Sequence, residues 1–187
     1  MNPTTRSVET LDDLMRAEGK AELIGGRVVR YMASGYKPTH VAFEIAVSLR
    51  EYAHRTGVGL AFPDGVGYAL DPPLPNGRQS FQPDASYHTG PLPANEMRFF
   101  EGTPVFAVEV RSENDHGPSA EVAMAAKRAD YFDAGTLAVW DVDPEARTVA
   151  LYLGDAENPA VVYGSGDIAE AGPAVPGWRV AVDDLFA

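Results

Sequence analysis

Cysteine is missing from all 187 residues, which excludes disulfides, thiolate catalysis and cysteine-ligated zinc. Long apolar runs are missing as well. No stretch approaches the ~20 apolar residues of a membrane helix, so no membrane partner is expected. Met1 to Asp13 lacks the apolar core of a signal peptide, and a cytoplasmic location is the expectation. Positive charge is scarce: 15 Lys and Arg face 27 Asp and Glu, for a formal net charge of −12. That balance opposes broad attachment to phosphate backbones. Several of the few cations (Arg16, Arg27, Arg30, Lys37, Arg50 and Arg55) concentrate in the first third, so a local basic patch can persist. Repeats, low-complexity tracts and long linkers are also lacking. What remains suits one domain from Met1 to Ala187, with enough apolar content (45%) for a sizeable core.

Local patterns predict the elements. A helix is expected over Leu11 to Glu18, with Thr10 as N-cap, Asp13 three residues on and Gly19 as the stop. Ala21 to Ile24, Gly25-Gly26 and Arg27 to Tyr31 read as a tight β-hairpin. Val41, Ile45, Leu49 and Tyr52 mark one face of a long helix over Thr39 to Arg55. Short strands and turns fill Val58 to Ser80. Pro83 opens a strand holding Asp84 to Tyr87, since a first strand residue need not donate to the ladder. In Phe106 to Arg111 the alternation sends Phe106, Val108 and Val110 to one face and Ala107, Glu109 and Arg111 to the other. A helix over Glu121 to Ala134, a strand over Leu137 to Val142, an edge hairpin over Tyr152 to Tyr163 and a terminal turn at Asp183 to Phe186 complete the reading. Their sum is an α/β (α+β) fold: a mixed central β-sheet flanked by helices, with an N-terminal helix and hairpin.

Two acids on apolar strands, with a lysine following, suggest chemistry. Asp84 and Glu109 offer hard oxygen ligands for Mg²⁺, and the Val110 carbonyl is placed to complete the set. Lys127 can offset charge on a phosphoryl group, or handle a water proton if burial lowers its pKa. Each residue also has a plain structural reading. Asp84 after proline suits a turn. Glu109 inside Val-Glu-Val needs a partner once buried, and Arg111 on the same face is a candidate. A lone helix lysine is usually solvated. His40 and Glu44, one helical turn apart, either face the site or make an ordinary surface contact.

The order and neighbours of these residues carry a resemblance. Glu22-Leu23-Ile24-Gly25-Gly26 looks like an E-L-I-x-G hairpin, Gln82-Pro83-Asp84 like a Q-P-D element and Glu109-Val110-Arg111-Ser112 like E-V-R-S. Lys127, Tyr131 and Gly135 fit a K-x-x-x-Y-x-x-x-G helix; Trp140 with Asp143-Pro144 resembles a strand exit, and Val175 to Trp178 with Leu185-Phe186 a closing segment. Together they resemble the Uma2 family of the PD-(D/E)XK restriction-endonuclease-like superfamily. The resemblance implies a metal-dependent endonuclease using one or two Mg or Mn ions on nucleic acid, DNA first, as a homodimer. It implies catalytic roles for Asp84, Glu109, Lys127 and Glu22, the last as a further metal ligand, where the plain reading is a surface strand acid. The superfamily's usual lysine position holds Arg111 here, and Lys127 matches a lysine displaced to the following helix. Glu113 to Pro118 fills the family's next turn without its usual proline placement.

Two other functions compete. One is a non-catalytic member of this fold that binds nucleic acid or protein, which the acidic balance favours. The other is a small-molecule phosphohydrolase, because fold does not fix substrate. A catalytic site requires Asp84 and Glu109 in one open cleft, whereas a structural ion pair would put Arg111 on Glu109.

Overall fold

The computed structural model describes residues 8–187. In chain order it contains α1 (Leu11–Met15), β1 (Ala21–Ile24), β2 (Arg27–Arg30), α2 (Tyr36–Thr56), β3 (Leu60–Pro63), β4 (Tyr68–Ala69), β5 (Ser80–Phe81) and β6 (Ala85–His88). Then follow β7 (Phe100–Glu101), β8 (Phe106–Val110), α3 (Pro118–Asp133), β9 (Ala138–Asp143), β10 (Thr148–Tyr152) and β11 (Val161–Tyr163). The chain closes with β12 (Ile168–Glu170), β13 (Arg179–Ala181) and α4 (Val182–Leu185).

The central sheet runs β11-β10-β9-β8-β6-β3. Within this sheet, among the described residues, β8 and β9 pair in parallel, with Glu109 opposite Asp141, and the other pairings are antiparallel. A parallel neighbour needs a crossover, and α3 is that crossover. On one face Phe106, Val108 and Val110 pack with Ile45 and Leu49 of α2 and with Trp140 and Trp178. On the other, Ala107, Val139 and Tyr131 of α3 join the aromatic cluster of Tyr68, Phe81 and Phe100. The expected mixed sheet with helices on it is therefore present.

Thr10 and Asp13 form the expected capping box, but α1 ends at Met15 and Gly19, at φ +76°, sits in the following turn. Gly25 and Gly26, at φ +56° and +68°, make the two-residue hairpin turn that side chains would strain. Both long helices start earlier than their apolar patterns suggest. Pro38 lies in the first turn of α2 and Pro118 opens α3, positions where no intrahelical N–H is required. Asp84 precedes β6 rather than lying within it, although its N–H still bonds the Val108 carbonyl at 3.0 Å. That places its carboxylate at the strand end, where backbone gives way to cleft. Among the described residues no helix is long and apolar enough to cross a membrane.

Candidate active site

Glu109 reaches the site because strand alternation turns it away from the α2 core, toward α3. It is buried, and both of its protein contacts fall on Oε1. The Tyr131 hydroxyl donates to that atom at 2.7 Å, and the Lys127 ammonium lies 2.9 Å away. Residues four apart share a helix face, so one face of α3 delivers both groups. Among the described residues Oε2 takes no protein hydrogen bond.

Glu22, on β1, is fully buried and has both oxygens engaged. Oε1 accepts the Gln82 N–H at 3.0 Å and lies 3.0 Å from Lys127 Nζ. Oε2 accepts from the Tyr31 hydroxyl at 2.8 Å and from Arg78 at 2.6 Å. Arg78 also pairs with Asp130 on α3, tying the hairpin to that helix. The plain reading of Glu22 as a surface strand acid is thus overturned, since the side chain is interior.

Asp84 accepts the Val110 N–H on Oδ2 at 2.7 Å, and its Oδ1 pairs with the Lys20 ammonium, which also lies 3.2 Å from Asp64. In extended backbone the N–H and C=O of one residue face the same neighbour. The Val110 carbonyl therefore lies on the Asp84 side of β8.

Charge compensation is uneven. Burial would raise the Glu22 carboxyl, but Lys127 and Arg78 outweigh it and hold the group at about 2. Burial pushes the Glu109 carboxyl above its ordinary value; Asp84 and Glu22 add to the rise, and Lys127 and Lys20 oppose it. Burial disfavours the Lys127 ammonium, yet Glu109 and Glu22 more than reverse this and raise its pKa. Lys127 is thus a fixed cation, which argues against a proton-abstracting role. Lys20 behaves alike: burial is overcome by Asp84 and Glu109.

Arg111 does not pair with Glu109. It forks onto Asp141, with both bonds at 2.7 Å, and reaches Glu121 at 2.6 Å. Arg128 binds the same two acids and stacks on Tyr152. Two guanidinium groups against two carboxylates make this network neutral, and it fixes α3 on the sheet at the height that presents Lys127. The structural pairing of Glu109 with Arg111 is therefore overturned.

Asp84, Glu109, Val110, Lys127 and Lys20 all line one cleft of about 760 Å³. Glu22 stands behind it as the anchor of Lys127. His40 and Glu44 are 4.0 Å apart, His40 also contacts the Ala187 carbonyl, and neither lines the cleft. Sequence reasoning missed Lys20, Tyr31 and Arg78. Lys20, two residues before Glu22, carried a weak alternation signal; Arg78, after a turn, carried none.

A divalent ion can be tested against these groups. Among the described residues no group of three or more His, Asp or Glu side chains is arranged to hold a metal ion. Mg²⁺ does not need one, since it commonly keeps several waters and takes one or two carboxylates. The unengaged Glu109 Oε2 and the acids that raise the Glu109 pKa leave a place where a cation would be favourable. The donor set fits.

A mixed sheet with two acids near strand ends and a crossover helix carrying the lysine is the arrangement to set beside known proteins. The model of the Uma2 family, described as "Putative restriction endonuclease", matches residues 8–183, so the chain belongs to that family. A crystal structure described as "a putative nuclease belonging to DUF820" from Anabaena variabilis is similar in fold. Its TM-score is 0.71 at 19% identity, covering 95% of this chain and 97% of that one. No curated protein matches the chain.

Proposed function

We propose that this chain, acting as one Uma2-like unit, is a metal-dependent endonuclease that hydrolyses phosphodiester bonds in nucleic acid, with DNA as the expected substrate. The observation that carries the reading is the sharing of one cleft by Asp84, Glu109 and Lys127, with Glu109 Oε2 taking no hydrogen bond among the described residues. Asp84, Glu109 and the Val110 carbonyl would hold Mg²⁺ or Mn²⁺, as one or two ions. When bound, the metal supplies Lewis-acid activation of phosphate and water.

The chain's own residues divide the remaining work. Lys127 stays protonated and offsets charge that develops on the phosphoryl oxygens. Glu22 positions that ammonium, and Tyr131 orients Glu109 by donating to Oε1. Lys20 holds the Asp84 carboxylate on the cleft side and adds a second positive charge. The homodimer implied by resemblance belongs to this reading, and light scattering that returns the mass of a single 20.0 kDa chain would count against it.

A nicking assay with Mg²⁺ or Mn²⁺, on wild type, Glu109→Gln and Lys127→Ala, tests the function. Activity that disappears in both variants supports it. Equal activity in all three points to a contaminant or another site. No metal binding and no cleavage hands the case to a non-catalytic binding protein.

A further inference from the structure

The cleft has two unlike walls. One is built from the end of β2, the connection that follows it and the start of α2. It presents Tyr36 at 82% exposure, Met32 at 80% and Tyr31 at 39%, beside Arg30 and Lys37. The Tyr36 ring stacks on His40, with centroids 5.6 Å apart and planes 12° from parallel, so one ring face is held while the side chain stays largely open. The first turn of α2 contains no acid. The α3 side of the lining includes the acids Glu113, Asp115 and Glu145, with Arg111 and Lys127 among them. Phe43, 56% exposed, extends the apolar wall into an adjoining cleft of about 500 Å³ that also reaches Lys20 and Asp84.

Exposed rings interleaved with cations are the combination that binds nucleic acid through unstacked bases and backbone phosphates together. Duplex bases already stack on one another and offer no free face. A duplex would also bring a second phosphate strand to a chain whose net charge is −12, beside the lining acids Glu113, Asp115 and Glu145. Building on the nuclease reading above, we propose that this wall is a stacking platform for unpaired nucleotides, and that the cleft takes single-stranded nucleic acid in preference to duplex. Tyr36 stacks a base, while Arg30 and Lys37 meet the phosphates that lead toward Asp84 and Glu109.

Fluorescence anisotropy in Ca²⁺ tests this with a fluorescein-labelled DNA strand, its RNA counterpart and the annealed DNA duplex. Either single strand should bind more tightly than the duplex. Tyr36→Ala should weaken single-strand binding by roughly 5- to 150-fold, while Tyr36→Phe, which keeps the ring, binds like wild type. Lys37→Ala should lower the slope of log affinity against log salt. Duplex binding as tight as single strand, or indifference to Tyr36→Ala, overturns the platform. If Glu109-dependent cleavage survives that result, the nuclease reading stands without it. Failure to bind or cleave any of the three probes overturns both.

Discussion

Lys127 and Glu22, from the crossover helix and the N-terminal hairpin, meet at 3.0 Å in the interior, and the same ammonium reaches Glu109 at 2.9 Å. One buried cation thus answers two buried acids, and Glu22, with two donors on each oxygen, has no lone pair left for a metal, whereas Asp84 carries one donor per oxygen. Glu22 is therefore better understood as the residue that places Lys127. Asp84 and Glu109 remain the groups facing the cleft.

Removing that cation should damage folding and function separately. Lys127→Ala leaves Glu22 with Arg78 as its one remaining cation among the described residues, and Glu109 with the Tyr131 hydroxyl but no ion-pair partner. Breaking a buried pair typically costs about 3–5 kcal/mol, and urea unfolding at neutral pH should show a loss of that order. Below the variant's unfolding transition, cleavage should still be down by about 10²–10³-fold. An unchanged unfolding midpoint would show that Lys127 is not the counter-charge.

The pH dependence of Glu22 has a definite sign. Its carboxyl sits at about 2 in the folded chain against 4.5 ordinarily. The group therefore adds stability that is fully present above about pH 4.5 and fades as pH falls through about 2. The shift corresponds to about 3 kcal/mol. Unfolding measured across pH 2–6 should show wild type and Glu22→Gln far apart at the upper end and converging at the lower. A constant gap would refute the assignment.

Periodicity made most of the scaffold legible. The alternation in Phe106–Val110 sent Glu109 off the α2 core, and the four-residue spacing of Lys127 and Tyr131 put both on one helix face. The site's second layer was not legible. Arg78 meets Glu22 and Asp130 only because β5 runs beside the hairpin, a tertiary contact with no local signature. Arg111 shows the complementary failure. Same-face spacing suggested Glu109 as its partner, but the parallel register places Asp141 beside Glu109 on β9, and two-oxygen geometry on Asp141 wins. Helix starts were missed because the prolines in their first turns break the apolar pattern without breaking the helix.

Arg111 should therefore matter for stability more than for chemistry. Its loss leaves buried Asp141 with Arg128 as its remaining guanidinium partner. Arg111→Ala should cost about 1.5–3 kcal/mol, the range for hydrogen bonds to charged groups. Single-turnover cleavage, measured below the unfolding transition, should fall far less than in Lys127→Ala. If Arg111→Ala keeps full stability yet abolishes cleavage, Arg111 belongs to the catalytic machinery after all.

Glu109→Gln separates metal binding from folding. Because the folded pKa of Glu109 lies above its ordinary value, the native state holds the proton more tightly than the unfolded chain. Stability from this group is lost as pH rises from 4.5 through the raised value, and at neutral pH the buried charge is a burden. Glutamine keeps an oxygen for Tyr131 and Lys127 without the charge, so metal-free Glu109→Gln should melt no lower than wild type at pH 7. A ligand that binds only the folded state adds RT ln(1 + [L]/Kd), about 2.7 kcal/mol at a hundredfold excess over Kd. Mg²⁺ or Mn²⁺ should therefore raise the wild-type melting temperature and leave Glu109→Gln nearly unmoved. Differential scanning calorimetry with and without metal reads both effects. Equal metal-induced shifts in the two proteins would place the ion elsewhere and remove Glu109 from the ligand set.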